Sequence, residues 1–130
     1  MRSEGGAGLV TAPINLADKL AQVDAHWSPA IVAELNGQHV KVVKLLGEFE
    51  WHHHEHEDEM FLVAKGSFDM HYRDRMVTVR TGEFVVVPRG VEHKPVAPEE
   101  CEVVLFEPAS TVNTGANEAG ELTRAELPKL

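Results

Sequence analysis

From residue 29 onward apolar and polar positions alternate in short blocks, each closed by a turn signal, and this rhythm predicts strands. The blocks are 30–35, 38–45, 48–54, 59–64, 67–73, 76–80, 83–87, 93–96 and 102–107. Between them stand Asn36-Gly37, Gly47, Gly66, Asp74-Arg75, Gly82, Pro88-Arg89-Gly90 and Pro98. Asn-Gly between two apolar runs is a strong short-range hairpin signal. Many short strands with regularly spaced turns describe an all-β sandwich or barrel. Phe84-Val85-Val86-Val87 and Val103-Val104-Leu105-Phe106 are apolar at successive positions, so both faces of these strands are expected to be covered, by a second layer or by a second subunit.

Before the strands, Leu16, Leu20 and Val23 recur at helical spacing after Asn15, a good N-cap, and predict one short amphipathic helix ending before Trp27. The expected organisation is therefore a lead-in with this helix over 1–29, a barrel over 30–108 and a tail over 109–130. The lead-in over 1–13 is expected to be loose. The tail carries a helical turn near 123–127 and wraps the barrel or a partner subunit.

A chain of 130 residues suits one domain with its own core. Its net charge of −9, from 21 acidic and 12 basic residues, argues against a nucleic-acid partner, which needs a concentrated basic face. Cys101 is alone, so no intrachain disulfide forms, which fits a reducing compartment. Neither a secretory signal nor a run of about 18 apolar residues is evident, and the expectation is a cytoplasmic protein without a membrane segment.

Against this background, Trp51-His52-His53-His54-Glu55-His56-Glu57-Asp58-Glu59 stands out for its density of imidazoles and carboxylates. In an extended chain, residues two apart share a face, so His52 and His54 converge while His53 turns away. An acidic hairpin turn over 55–58 would set Glu59 beside them, and the strand, Pro-x-Gly turn and second strand ending at His93 would bring a fourth ligand from afar. Three neutral imidazoles and one carboxylate suit Fe, Mn, Ni, Zn or Cu better than Mg or Ca. On a six-coordinate ion they leave two positions for a ligand, whereas a tetrahedral zinc site would be closed. Ligand histidines must be neutral, so metal affinity is expected to fall as pH drops through about 6.

Gly47, His52, His54, Glu59 and Gly66, followed by Gly82, Pro88, Gly90 and His93, resemble the two motifs of the cupin superfamily. Four residues rather than five separate Gly47 from His52, and Ala97 replaces the asparagine that ends the second motif. The resemblance covers about residues 40 to 107. It implies a double-stranded β-helix barrel, usually a homodimer, with one divalent metal in the barrel mouth held by His52, His54, Glu59 and His93.

Parity also puts Glu50, with Glu48, on the ligand side, where Glu50 is a candidate general base or a solvated rim residue. Phe61 and Val63 share the face of Glu59 and are expected to line a substrate pocket. Phe68, Met70 and Tyr72 read as core, and Trp51, of opposite parity to His52, as packing between layers or in a dimer contact. His26, His39, His53, His56 and His71 are not ligands in this reading. The functional expectation is a metal-dependent enzyme acting on a small oxygenated molecule, of dioxygenase type ahead of a sugar isomerase or epimerase. The alternative is a metal-centred module that binds or senses a metabolite without turnover.

Overall fold

The structure is a computed structural model and describes residues 10–130. Residues 1–9 of the predicted lead-in lie outside the described residues. Asn15 caps the short helix α1 (Leu16–Leu20), its side-chain oxygen accepting the Asp18 amide at 2.9 Å. Seven strands follow: β1 (Ala30–Leu35), β2 (Gln38–Glu48), β3 (Glu59–Lys65), β4 (Ser67–Tyr72), β5 (Met76–Arg80), β6 (Phe84–Val87) and β7 (His93–Pro108). Asn36 and Gly37 take φ of +52° and +76°, the left-handed pair that a two-residue hairpin needs, and Leu35 faces Gln38 across the turn.

All pairings between these strands are antiparallel, and β7 is the spine. It pairs with β2 along one edge, while on the other its first residues pair with β4 and its later ones with β3. β6 closes on β3 and β5 on β4. This is the all-β double-stranded β-helix with a short N-terminal helix. Where 93–96 and 102–107 read as two strands, the chain runs on as one. Residues 98–100 bulge out opposite Leu46, between the Leu45↔Cys101 and Gly47↔Ala97 pairs, so Pro98 owes no ladder hydrogen bond and does not end the strand.

Alternation sorts the strands into two apolar clusters. Val43, Leu45, Phe61, Val63, Phe68, Met70, Val79, Val103 and Leu105 fill the barrel. Val42 and Val104 point outward, where Leu20 and Val23 cover them, so α1 supplies the second face expected for the Val103 run. β6 is different. Phe84 and Val86 are 59% and 53% exposed, because nothing among the described residues packs on that face. Cys101 is a buried free thiol inside the barrel, and burial pushes it up to about 11.

The tail has no helical turn near 123–127. It wraps the barrel: Ile31 donates its amide to the Pro128 carbonyl at 2.8 Å, and Leu130 donates to that of Ile31 at 2.9 Å. No helix among the described residues is long and apolar enough to cross a membrane.

Candidate metal centre

β2 ends at Glu48, so the strand expected over 48–54 is absent. Residues 49–58 form an extended connection with one bridge, His52↔His93, in which each amide donates to the other's carbonyl at 3.1 and 2.9 Å. The remaining backbone groups find scattered partners: Gly90 donates to the His54 carbonyl and Ala116 to that of His53. A regular ladder would have aligned His52 and His54 along one line, whereas this connection bends them around a point. Glu59 likewise arrives by another route. No 54–59 hairpin forms, and Glu59 pairs with Val87 on β6.

His52, His54, Glu59 and His93 are all buried, and one ligand atom from each lies within 4.8 Å of the others. His54 Nε2 is 3.2 Å and His93 Nε2 is 3.5 Å from Glu59 Oε1. Donors about 2.1 Å from a shared ion stand about 3.0 Å apart at right angles and about 3.4 Å at tetrahedral angles, so these separations fit a common cation. The rings are oriented from behind. His52 Nδ1 sits 2.9 Å from the Glu50 carbonyl and His93 Nδ1 2.9 Å from that of Val91. A carbonyl only accepts, so each Nδ1 carries the proton and each Nε2 turns a lone pair inward.

Without a cation, the centre leaves buried polar atoms unpaired. His54 Nδ1 and Nε2, His93 Nε2 and Glu59 Oε1 have no hydrogen-bond partner, a costly state in a protein interior. A divalent ion would satisfy the inward-facing atoms together, so the residues fit the metal that their chemistry implies.

Burial and the neighbouring His93 push the His52 imidazole down to about 4, so that ring stays neutral well below the pH of about 6 expected from an ordinary imidazole. Burial alone would raise Glu59, yet the close approach of Glu107, His54 and His93 holds it well below the usual carboxylate range. Glu59 would therefore serve a cation as an anionic ligand.

One wall of the centre opens on a cavity of about 30 Å³ lined by Trp27, Pro29, Val43, Leu45, Phe49, His52, Glu59, Phe61, Pro95, Leu105 and Asn113. Apart from the two ligands and Asn113, this lining is apolar. Phe61 lines it. Val63 does not, and packs in the barrel core two residues further along β3.

Glu50 is half-buried, and its carboxylate accepts from Asn117 Nδ2 at 2.5 Å in the tail, while its carbonyl orients His52. Glu48 faces solvent in an ion pair with Lys94 at 2.9 Å. Alternation misplaced it because the strand stops there, and Phe49 takes the inward position instead. Trp51 packs neither between layers nor in the core; it lies half-exposed under the Arg73 guanidinium, 3.9 Å from the ring centroid. His56 is solvent-exposed, and none of the other histidines joins the cluster.

Three contributors escaped the sequence reading. Trp27 adopts φ of +56°, unusual for a bulky residue, with its indole N–H donating to the Leu46 carbonyl at 2.8 Å and its ring 4.8 Å from Phe49. Phe49 in turn stands edge-on to His52 at 5.2 Å, so an aromatic pair roofs the cavity beside the centre. Asn113 comes from the tail, where Gly115 lets the chain cross His53 and His54 closely: a Cβ on Gly115 would collide with the His53 carbonyl oxygen. The only signal for these was a Trp before Ser-Pro and an Asn-Thr-Gly in a segment without periodicity.

Comparison with known proteins agrees with this architecture. Residues 40–107 match the family described as Cupin domain. A cupin-2 domain containing protein from Shewanella frigidimarina NCIMB 400 is 46% identical, with a TM-score of 0.72 over 73% of this chain and 93% of that one. Protein NMB1881 from Neisseria meningitidis is 34% identical, with a TM-score of 0.69 over 75% of this chain and 100% of the other. The uncharacterized protein YdbB of Bacillus subtilis (strain 168) is 28% identical over 80 residues, 61% of this chain and 68% of that protein. With its barrel, its histidine-glutamate cluster and more than half its length matching, the chain belongs to the cupin family.

Proposed function

We propose that the protein is a metal-dependent enzyme whose single divalent transition-metal ion is held by His52, His54, Glu59 and His93, and whose substrate is a small, oxygenated, mostly apolar molecule. The observation that carries this reading is the convergence of buried, unpartnered ligand atoms at the wall of an apolar cavity. When bound, the ion, one of Fe, Mn, Ni, Zn or Cu, supplies Lewis-acid polarisation of a substrate oxygen.

The chain's own residues do the rest. The Glu50 and Val91 carbonyls fix the imidazole tautomers. Trp27, Phe49, Phe61 and Leu105 exclude water and receive an apolar group. As it stands the cavity has room for only about two water-sized molecules, so a larger ligand enters by displacing the Trp27–Phe49 cover.

This lining favours dioxygenase-type chemistry over sugar isomerisation. A sugar would bring several hydroxyls into a cavity where Asn113 already spends its side chain on the Leu122 carbonyl and the Arg124 amide, leaving those hydroxyls unpaired. Oxygen consumption by the Fe(II)-loaded protein, screened over small phenols, enols and diketones, tests the assignment. Substrate-dependent uptake is expected. Absence of uptake with every metal, alongside interconversion of carbonyl isomers, would reverse the preference. Tight binding without turnover would favour the alternative, a metal-centred module that binds or senses a metabolite.

The exposed Phe84 and Val86 on β6 support a homodimer, with a second copy of the chain covering this face.

A further inference from the structure

The buried centre has two approaches, and they differ in chemistry. The cavity beneath Trp27 and Phe49 is walled almost wholly by apolar side chains, so a hydrated divalent ion entering there would shed its water among groups that cannot replace it. A second cleft, of about 180 Å³, is lined by His54, Glu55, His56, Glu57 and Ser110, together with a stretch of the tail that includes Gly115 and Ala116. Its carboxylates and imidazoles are the groups that do replace water around such an ion. The Ser110 hydroxyl donates to Glu57 Oε2 at 2.8 Å, which ties that carboxylate to the tail side of the cleft.

His54 belongs to both the cleft and the centre. It is only 3% exposed, and its Nε2 faces Glu59 Oε1 at 3.2 Å. Its Nδ1 lies on the cleft side, 3.3 Å from where a Cβ on Gly115 would stand. Neither ring nitrogen has a hydrogen-bond partner. His52 and His93 are pinned from behind by the Glu50 and Val91 carbonyls, whereas turning the His54 ring breaks no hydrogen bond, because Gly90 holds only its backbone. Among the described residues, the tight cluster is His52, His54, Glu59 and His93. Glu55 and His56 stand exposed beside it and Glu57 half-buried, an open arrangement that suits brief capture rather than storage.

Resting on the metal-binding reading above, we propose that this cleft is the port through which the metal enters: Glu55, His56 and Glu57 capture the hydrated divalent ion, and the unpinned ring of His54, whose Nδ1 meets it first, turns to pass it inward and then holds it through Nε2. The apolar cavity is left to the substrate. The groups at the cleft thus set how fast metal enters and leaves, and not how tightly the centre holds it.

The test is stopped-flow uptake of Zn(II) by metal-free, full-length protein purified without a metal-affinity step, read with a chromogenic zinc indicator, followed by release to excess EDTA and by the equilibrium affinity. Glu55→Gln/His56→Ala/Glu57→Gln removes the capturing groups, and Ala116→Trp narrows the cleft at an exposed position without changing charge. Each is expected to slow uptake about tenfold and release by a similar factor, with affinity within about threefold of the parent, because a port lowers the barrier equally in both directions. Glu99→Gln/Glu126→Gln, which takes the same two charges from exposed positions elsewhere, is expected to keep the parent's rates.

Uptake at the parent's rate in either cleft variant, or a charge control as slow as the triple variant, overturns the proposal. Weaker affinity with faster release also overturns it, since these groups would then belong to the centre's own binding. Should Ala116→Trp fail to melt cooperatively, Val112→Trp in the same cleft takes its place. A parent that binds no Zn(II) removes the metal reading and this proposal together, whereas a parent that binds while both cleft variants load at its rate removes this proposal alone.

Discussion

His52 shows how far a single side chain departs from its solution behaviour once the barrel closes over it. Its imidazole is pushed down to about 4 by burial first and by His93 second, against about 6.5 in an unfolded chain. Between those values the unfolded state binds a proton that the metal-free folded state refuses, so folding stability is fully present above about 6.5 and is lost as pH falls toward 4. The expected loss at this one residue is up to about 3 kcal/mol, read as a falling urea midpoint in metal-free protein between pH 6.5 and 4. His52→Gln should flatten that slope. A midpoint independent of pH across this window would mean that His52 is solvated rather than enclosed.

At the scale of elements, the tail behaves as a strap over the centre. Gly115 has φ of +61° and no room for a Cβ beside the His53 carbonyl, while Asn113 and Asn117 on either side reach the cavity and Glu50. Gly115→Ala must lift this crossing, and is expected to cost about 2 kcal/mol or more of stability and to weaken ligand binding at the cavity. A melting temperature equal to the parent's would show that the crossing is not tightly packed. The sequence showed little of this, because a strap held by isolated turns and side-chain contacts carries no period. The strands were legible where alternation met a glycine or Asn-Gly stop, as at β1 and β2. They were misread where a long-range partner set the outcome. β7 runs through Pro98 because a bulge frees that position, and residues 49–54 leave the ladder because their backbone partners lie on β7, the Pro88–Gly90 turn and the tail. The four candidate ligands remained legible because a shared cation would constrain their types and spacing rather than the path between them. Phe49 and Trp27 were not, since an aromatic residue at a cavity reads like any other core residue.

For the molecule as a whole, the metal reading predicts that metal and folding are linked. An ion that binds only the assembled centre stabilises the folded state by about 2.7 kcal/mol at a hundred times its dissociation constant. Addition of the cognate divalent ion should therefore raise the melting temperature, and EDTA should lower it again. The second whole-molecule expectation concerns β6: Phe84→Lys with Val86→Lys should convert a dimer to a monomer in sedimentation velocity without unfolding it, because both side chains are already more than half exposed. A parent that sediments as a monomer at tens of micromolar would exclude this face as a stable interface.

The most direct test of the metal assignment is elemental analysis of protein purified without chelators or metal-affinity steps, run beside His93→Ala and Glu59→Gln. The expected result is close to one transition-metal ion per parent chain and little or none in either variant. A parent that stays metal-free after exposure to Fe, Mn, Ni, Zn and Cu, or variants that retain the parent's full metal content, would contradict it.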